Sequence, residues 1–282
     1  MTAPLISARG MSCGYAKRVV LRGVDLALEP GEMVGVCGVN GSGKSTLLRT
    51  LSGAFPPRGG ELTLNGTPSA GLTAKARAKI AAVMPQNPEL GFGLSCFSMV
   101  LLGRYPHLGL LGGYGKHDQR VALEAMERTG CRHLAERTLT ETSGGERARV
   151  FLARVLAQEP RVLLLDEPTS SLDPCGSTRV LDLVRDLCRD GAAALLAMHD
   201  LNLAALYCDR LVFLQQGRIA VQGLTKDVFN AQTLASVFDT ELAVIPHPLA
   251  GAPQALPVPG PGSIAGDPRG DTAGNGNEPG SC

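Results

Sequence analysis

Short, uninterrupted apolar runs recur along the chain and alternate with stretches of helical periodicity. Runs without a charged side chain occur at residues 33–37, 80–84, 162–165 and 192–197. Such runs are typical of strands buried on both faces of a parallel sheet. Between them, apolar residues follow the i, i+3, i+4, i+7 spacing of amphipathic helices at residues 148–156 and 180–188. The alternation predicts an α/β fold with a mainly parallel sheet.

Other stretches depart from this alternation. Residues 5–28 have the alternating pattern of exposed strands, and residues 211–221 predict a hairpin. Residues 87–140 predict a small helical insert, which begins after Gln86 because prolines on both sides of that residue end regular structure. Residues 241–282 are rich in proline and glycine, so we expect a disordered tail that the activity of the protein does not require.

A glycine-rich segment separates the first apolar run from a helical stretch. Residues 38–46 read Gly-Val-Asn-Gly-Ser-Gly-Lys-Ser-Thr, which matches the phosphate-binding P-loop at its four fixed positions. Backbone N–H groups and the helix N-terminus would hold phosphate, Lys44 would neutralise its charge, and Ser45 would ligate Mg²⁺. The alternative is a plain glycine-rich turn. The candidate nucleotide-binding residues here are Gly38, Asn40, Gly41, Ser42, Gly43, Lys44, Ser45 and Thr46.

Candidate catalytic groups follow two other apolar runs. Asp166 and Glu167 end one of them, where an aspartate suits Mg²⁺ held through water and a glutamate suits activation of an attacking water. An acidic pair at a strand end is also a common structural cap. His199 follows the next run, and alone it would be more often structural. Ser143 with Glu146 fits a helix capping box, an anion site, or both.

The order of these motifs resembles that of an ABC-transporter ATPase subunit. The motifs are residues 38–46, Gln86, Ser-Gly-Gly-Glu at 143–146, Asp-Glu at 166–167, Ser-Leu-Asp at 171–173 and His199. The resemblance covers about residues 5–240 and implies a P-loop NTPase core, an N-terminal antiparallel β subdomain and the helical insert. Residues 1–240 would then form the ABC ATPase domain. Thr142 stands where the family usually has leucine, so we expect looser packing of the following helix.

The resemblance also implies roles for individual residues. Glu167 would be the general base, Lys44 and His199 would contact phosphate, and Tyr15 would stack on adenine. Mg²⁺ coordination would fall to three residues, Ser45, Gln86 and Asp166. The signature residues of the Ser-Gly-Gly motif, Ser143, Gly144 and Gly145, would instead cap the ATP of a second subunit. A homodimer would thus enclose two nucleotides.

The transported substrate is indicated by one further segment. Residues 101–107, Leu-Leu-Gly-Arg-Tyr-Pro-His, are similar to a segment of ATPases that serve importers of ferric siderophores, haem and cobalamin. The alternative is an ordinary helix end stopped by Pro106. We expect uptake of an iron chelate, a ferric siderophore first and haem or cobalamin as the alternative. The partners would be integral-membrane permease subunits that dock on residues 87–107 and, indirectly, a periplasmic or lipoprotein substrate-binding protein.

Composition bears on the partners of the protein and on the compartment in which it is found. The net charge is +1, from 27 Lys and Arg against 26 Asp and Glu, so we expect no nucleic-acid partner. The eight cysteines form no C-x-x-C pair and are expected to be buried in a reducing compartment. The apolar runs are too short to span a membrane, so any contact with a membrane would be through another protein. The resemblance implies a location at the cytoplasmic face of the membrane, through the permease. A soluble DNA-repair or ribosomal relative and a non-enzymatic nucleotide-binding module are weaker alternatives.

Overall fold

The computed structural model describes residues 3–15, 18–86, 93–109 and 112–259. Its strands are β1 (Ile6–Tyr15), β2 (Arg18–Leu28), β3 (Met33–Cys37), β4 (Gly59–Leu64), β5 (Thr67–Pro68), β6 (Ala81–Met84), β7 (Val162–Asp166), β8 (Ala193–Ala197), β9 (Arg210–Gln215), β10 (Arg218–Leu224), β11 (Leu242–Pro246) and β12 (Pro253–Pro257). Its α-helices are α1 (Lys44–Leu51), α2 (Ala74–Ile80), α3 (Cys96–Leu101), α4 (Lys116–Arg128), α5 (Gly144–Ala157), α6 (Pro174–Arg189), α7 (Leu201–Tyr207), α8 (Thr225–Val228) and α9 (Ala231–Phe238).

The central sheet has six strands in the order β10-β9-β3-β8-β7-β6. All neighbours pair in parallel except β10, which runs antiparallel to β9 at the edge. Every residue of β3, β7 and β8 is buried, which explains why their sequences are uninterrupted apolar runs. The mainly parallel α/β sheet predicted from the sequence is therefore confirmed.

The two faces of this sheet belong to separate apolar clusters. Val34 and Val36 of β3 face a cluster that includes the N-terminal sheet and α1, whereas Met33 and Cys37 face the cluster that contains α3, α4 and α5. This division follows from the two-residue period of a strand. The N-terminal sheet is antiparallel with the order β2-β1-β4-β5, as the resemblance implies. Helix α1 is thereby held between two sheets.

The helical insert is present between β6 and α5. It contains α3, α4 and three 3₁₀ segments, Leu102–His107, Arg132–Leu134 and Leu139–Glu141. Part of the predicted docking region, residues 87–92, lies outside the described residues, as do residues 110 and 111. Helix α2 is not evident in the sequence, because none of its residues is buried and it therefore has no apolar stripe.

The chain after residue 240 differs from the prediction of a disordered tail. Strands β11 and β12 form an antiparallel hairpin, whose inward positions Leu242, Val244 and Ala255 pack on the main apolar cluster. Alternating inward side chains supply the apolar contact that the proline and glycine content concealed. The prediction is therefore wrong for the hairpin, and residues 260–282 lie outside the described part of the chain.

Two further expectations concern cysteines and membrane segments. Of the seven cysteines described, all are unpaired and six are buried; the exposed one is Cys175. Burial raises the pKa of Cys37 to about 12, so this thiol beside the P-loop stays protonated. Within the described ranges, no helix has both the length and the apolar character needed to cross a bilayer.

Candidate functional site

The P-loop joins β3 to α1 and depends on glycine at two positions. Gly43 has φ of +112°, a conformation that L side chains rarely adopt, and it precedes the first residue of α1. At Gly38, a Cβ atom would lie 2.2 Å from the carbonyl oxygen of Leu214 on β9. The backbone can therefore follow this tight path only without side chains. Loop residues and the first residues of α1 line the same cavity, where backbone N–H groups and a helix N-terminus suit an anion.

Replacement of Gly38 by alanine is expected to disrupt this loop. The added methyl group would collide with the Leu214 carbonyl at 2.2 Å and with Ser42 Oγ at 2.9 Å. Overpacking of this kind typically costs about 1–3 kcal/mol of unfolding free energy. Denaturant unfolding should show this loss of stability. A binding titration should show weaker ATP binding. Gly71→Ala is the control, because a methyl group at that position would have no neighbouring atom within 4 Å; equal losses in both variants would contradict the assignment.

Lys44 is held inside the loop that it follows. Its side chain is 6% exposed and donates to the Gly38 carbonyl at 2.8 Å and to the Val39 carbonyl at 3.4 Å. Burial lowers the pKa of Lys44, and the nearby Glu167, Cys37 and Asp166 oppose that shift. The hydrogen bonds to two carbonyl groups of the loop fix the position of the side-chain nitrogen at the base of the loop.

Asp166 is a buried carboxyl group at the end of β7. It is 3% exposed, and its Oδ1 has no hydrogen-bond partner among the described residues. Burial raises the pKa of Asp166, while a hydrogen bond with Ser45 lowers it. An unpartnered buried oxygen next to a hydroxyl matches the oxygen ligands that Mg²⁺ prefers. The residues present thus fit a magnesium ion.

Two side chains predicted from separate motifs contact the carboxylate of a third predicted residue, Glu167. Gln86 Nε2 donates to Glu167 Oε2 at 2.6 Å, and His199 Nε2 lies 2.5 Å from Glu167 Oε1. The structure therefore brings Gln86, Glu167 and His199 together, although Gln86 and His199 are 81 and 32 positions from Glu167 along the chain. Each follows a parallel strand of the sheet, and the ends of those strands are adjacent.

Glu167 also has an unusual backbone. Its φ is +55°, in the left-handed region that non-glycine residues rarely occupy. Its N–H donates to the Ala197 carbonyl at 3.1 Å, and its carbonyl accepts from Ser170 N at 3.2 Å. Strain of this type is commonly found at functional sites.

These side chains line one open cavity of about 400 Å³. The lining residues are Val20, Asn40, Gly41, Gly43, Lys44, Ser45, Thr46, Gln86, Glu167 and His199. Sequence reasoning missed Val20, because nothing distinguishes it from other apolar strand residues. Two predicted loop residues, Gly38 and Ser42, do not line the cavity; Ser42 is 3% exposed.

Tyr15 lies at the end of β1, next to the P-loop helix. Its hydroxyl accepts a hydrogen bond from Thr46 Oγ1 at 3.4 Å, and its ring packs edge-on against Phe55 at a centroid distance of 5.2 Å. The side chain is 39% exposed. Tyr15 does not itself line the cavity, but its partner Thr46 does.

The signature residues lie apart from this cavity. Ser143 Oγ accepts from Glu146 N at 3.2 Å, and Glu146 Oε2 accepts from Ser143 N at 2.8 Å, which completes a capping box at the start of α5. Neither Ser143 nor Gly144 or Gly145 is among the residues that line the cavity within the described chain. Ser143 and Gly144 are exposed and Gly145 is partly exposed, so this helix start lies at the surface and outside the P-loop cavity of the same chain.

Thr142 does not loosen this helix start in the way that the sequence suggests. It is 5% exposed, its hydroxyl donates to the Leu139 carbonyl at 2.7 Å, and its carbonyl accepts from Arg147 Nη2 at 3.0 Å. A buried hydroxyl with a partner costs little relative to an apolar side chain. The threonine is thus accommodated.

The fold and the cavity together define a P-loop ATPase. A family profile described as ABC transporter matches residues 21–170. The chain is 42% identical over 261 residues to the hemin import ATP-binding protein HmuV of Gloeobacter violaceus, covering 90% of this chain and 94% of that protein. It is 39% identical over 273 residues to the cobalamin import ATP-binding protein BtuD of Halobacterium salinarum, covering 96% and 68%.

Solved structures agree with this relationship. An inward-facing ABC transporter assigned to the metal-chelate type matches with a TM-score of 0.78 and 26% identity, covering 90% of this chain and 98% of that one. The dimeric ABC transporter cassette MJ0796 matches with a TM-score of 0.72 and 26% identity, covering 78% and 98%. This chain therefore belongs to the ABC transporter family, as an ABC-type transport ATPase that binds ATP.

Proposed function

We propose that this chain is the ATPase subunit of an importer for a metal tetrapyrrole, with haem as the first candidate and cobalamin as the second. The observation that carries the ATPase function is the convergence of Gln86 and His199 on Glu167 beside the P-loop. The substrate class rests on the hemin and cobalamin import relatives and on the metal-chelate type transporter. These relatives favour the tetrapyrrole alternative over the ferric siderophore expected first from the sequence.

Separate residues at the cavity bind phosphate, accept the proton of the attacking water and contact adenine. Lys44 and the P-loop amides hold the β- and γ-phosphates, and His199 contacts the γ-phosphate. Glu167 accepts the proton of the attacking water, a role for which its place in the lining of the cavity is suited. Tyr15 stacks on adenine beside Thr46.

Ser45, Gln86 and Asp166 hold Mg²⁺ in this proposal. The unpartnered Asp166 Oδ1 and the neighbouring Ser45 hydroxyl support that assignment. Bound Mg²⁺ would neutralise charge on the phosphate oxygens. Gln86 also donates to Glu167, so the same side chain that contacts the metal site is coupled to the general base.

A second copy of the chain completes each site. Ser143 and Gly144 are exposed and Gly145 is partly exposed at a helix N-terminus, outside the cavity of their own P-loop. In a two-fold symmetric dimer they would cap the γ-phosphate that the partner binds. The dimeric cassette among the solved structures supports this arrangement.

The permease docks on the helical insert at the cytoplasmic face of the membrane. The 3₁₀ segment Leu102–His107 presents Leu102 and Tyr105, which are 43% and 60% exposed, while its Arg104 is buried against Asp118 and Glu159. Exposed apolar groups on a rigid segment suit a helix of a membrane partner. A substrate-binding protein would act on the far side of the permease, without contact with this chain.

Transport assays test the substrate. The chain is reconstituted in proteoliposomes with the permease that co-purifies with it, and uptake of haem, cyanocobalamin and a ferric hydroxamate siderophore is measured with and without ATP. We expect ATP-dependent uptake of haem, or of cyanocobalamin if that is the substrate, and none of the siderophore. Lys44→Ala in the same vesicles is the control for ATP dependence. Uptake of the siderophore alone would overturn the tetrapyrrole assignment but leave the ATPase assignment intact.

A further inference from the structure

The C-terminal hairpin is attached to the helix that follows His199. The side chain of Asn202, on α7, pairs with the backbone of Ala255 on β12 at both ends of its amide group. Its Nδ2 donates to the Ala255 carbonyl at 3.2 Å, and its Oδ1 accepts from the Ala255 N–H at 2.7 Å. Asn202 thus occupies the edge of β12 as a neighbouring strand would. Ala255 itself is buried in the main apolar cluster.

Helix α7 depends on such contacts for its position. It has seven residues, which is fewer than the roughly 12–15 that an isolated helix needs to be even marginally stable in water. Asp200 caps its start, since its Oδ1 accepts from the backbone N–H groups of Asn202 and Leu203 at 2.9 Å each. The first turn of α7 is therefore fixed to Asp200 on one side and to the hairpin on the other.

His199 immediately precedes this capped turn. Its side chain is 46% exposed, so packing does little to fix the ring, and its ring nitrogen Nε2 contacts Glu167 Oε1 at 2.5 Å. On the other side, Met198 N donates to the Val36 carbonyl at 3.0 Å and anchors the end of β8. The position of the ring therefore follows from the backbone between β8 and α7.

We propose that Asn202 is a positioning residue, through which the C-terminal hairpin holds the turn that carries His199 against Glu167. The inference rests on the proposed ATPase function of that site. It gives residues 241–259 a role in hydrolysis that the sequence did not suggest. Asn202 contacts neither nucleotide nor reacting atoms and acts only through the backbone of residues 199–202.

Asn202→Ala tests this role in the full chain. Removal of both amide hydrogen bonds should lower kcat for ATP hydrolysis about tenfold, because small displacements of catalytic groups have large effects. KM for ATP should stay within about twofold, since the P-loop is untouched. The matched control is Gln222→Ala, on β10, whose side-chain amide also donates to a backbone carbonyl, that of Asp25 at 3.0 Å, but within the described residues contacts neither the cavity nor the hairpin; its kcat should match that of the wild type.

A double-mutant cycle separates positioning from general destabilisation. In a His199→Ala background, Asn202→Ala should cause no further loss of kcat, because the two residues act through one contact. A full additional tenfold loss in that background would overturn the proposal, as would an unchanged kcat in the single variant. Thermal unfolding of all four proteins shows whether they are folded at the assay temperature.

Truncations give a second test that does not depend on the Asn202 variant. A chain ending at residue 259 should keep the wild-type kcat, whereas one ending at residue 240 should lose about tenfold while it still binds ATP. Equal activity of the two truncated chains would overturn the role of the hairpin. Absence of ATPase activity in the wild-type homodimer would instead refute the proposed function, so the two failures are distinguishable.

Discussion

Glu167→Gln is expected to bind ATP and to hydrolyse it at least about 100-fold more slowly than the wild type, the usual contribution of a general base. The substitution keeps the shape of the side chain but removes the group that accepts the proton. Its neighbours Gln86 and His199 remain, so the cavity should stay intact. With MgATP, the variant should accumulate as a dimer, because the ATP that holds the two copies together is no longer hydrolysed. Turnover is measured by phosphate release and dimerisation by light scattering.

The matched control is Asp182→Asn, an acidic-to-amide change on α6, where the carboxylate accepts a hydrogen bond from Tyr207 far from the P-loop cavity. It should keep wild-type turnover and remain monomeric at the same protein concentration. Wild-type turnover in Glu167→Gln would rule out the general-base role. Dimerisation of that variant without nucleotide would show that charge repulsion, rather than trapped ATP, controls association.

Ser143→Arg is expected to abolish hydrolysis without weakening ATP binding by the isolated chain. The arginine would protrude from the start of α5, where the exposed serine now lies, and would block a partner's nucleotide. Loss of one group that stabilises transition-state charge typically lowers kcat about 100-fold. The dissociation constant of ATP, measured with a fluorescent analogue at concentrations where the protein is monomeric, should change less than about twofold.

Lys44→Ala provides the contrast for this variant. Lys44 contacts the P-loop of its own chain, so its loss should weaken ATP binding by the monomer as well as hydrolysis. If Ser143→Arg weakened binding as strongly as Lys44→Ala, the serine would serve its own nucleotide. The two-copy site would then be wrong, although the P-loop assignment would stand.

The meeting of the catalytic residues could be predicted from the sequence because parallel topology brings them together. β6 precedes Gln86, β7 ends at Asp166 and β8 precedes His199, and these strands are neighbours in the sheet. Once the apolar runs are recognised as parallel strands, their carboxyl ends must share an edge. The glycine pattern of residues 38–46 likewise specifies its own turn, because the backbone requirement lies in the residues themselves.

Other features depend on contacts that the sequence does not display. The pairing of Asn202 with Ala255 joins residues 53 positions apart, and neither residue belongs to a motif. The left-handed conformation of Glu167 is imposed by its contacts with β8, since glutamate has no preference for it. Helix α2 lacks a buried face, so its periodicity carries no signal.

The capping box at Ser143 affects the entropy that is lost each time two copies of the chain associate. The hydrogen bonds with Glu146 already fix the rotamer of the serine hydroxyl in the single chain. Immobilising a flexible side chain on binding costs about 0.5–1.5 kcal/mol, and a group that is ordered beforehand avoids this cost. In the proposed dimer, each encounter between two copies would therefore start from a preorganised surface, and the entropy of ordering it would be lost once, during folding, rather than in every cycle.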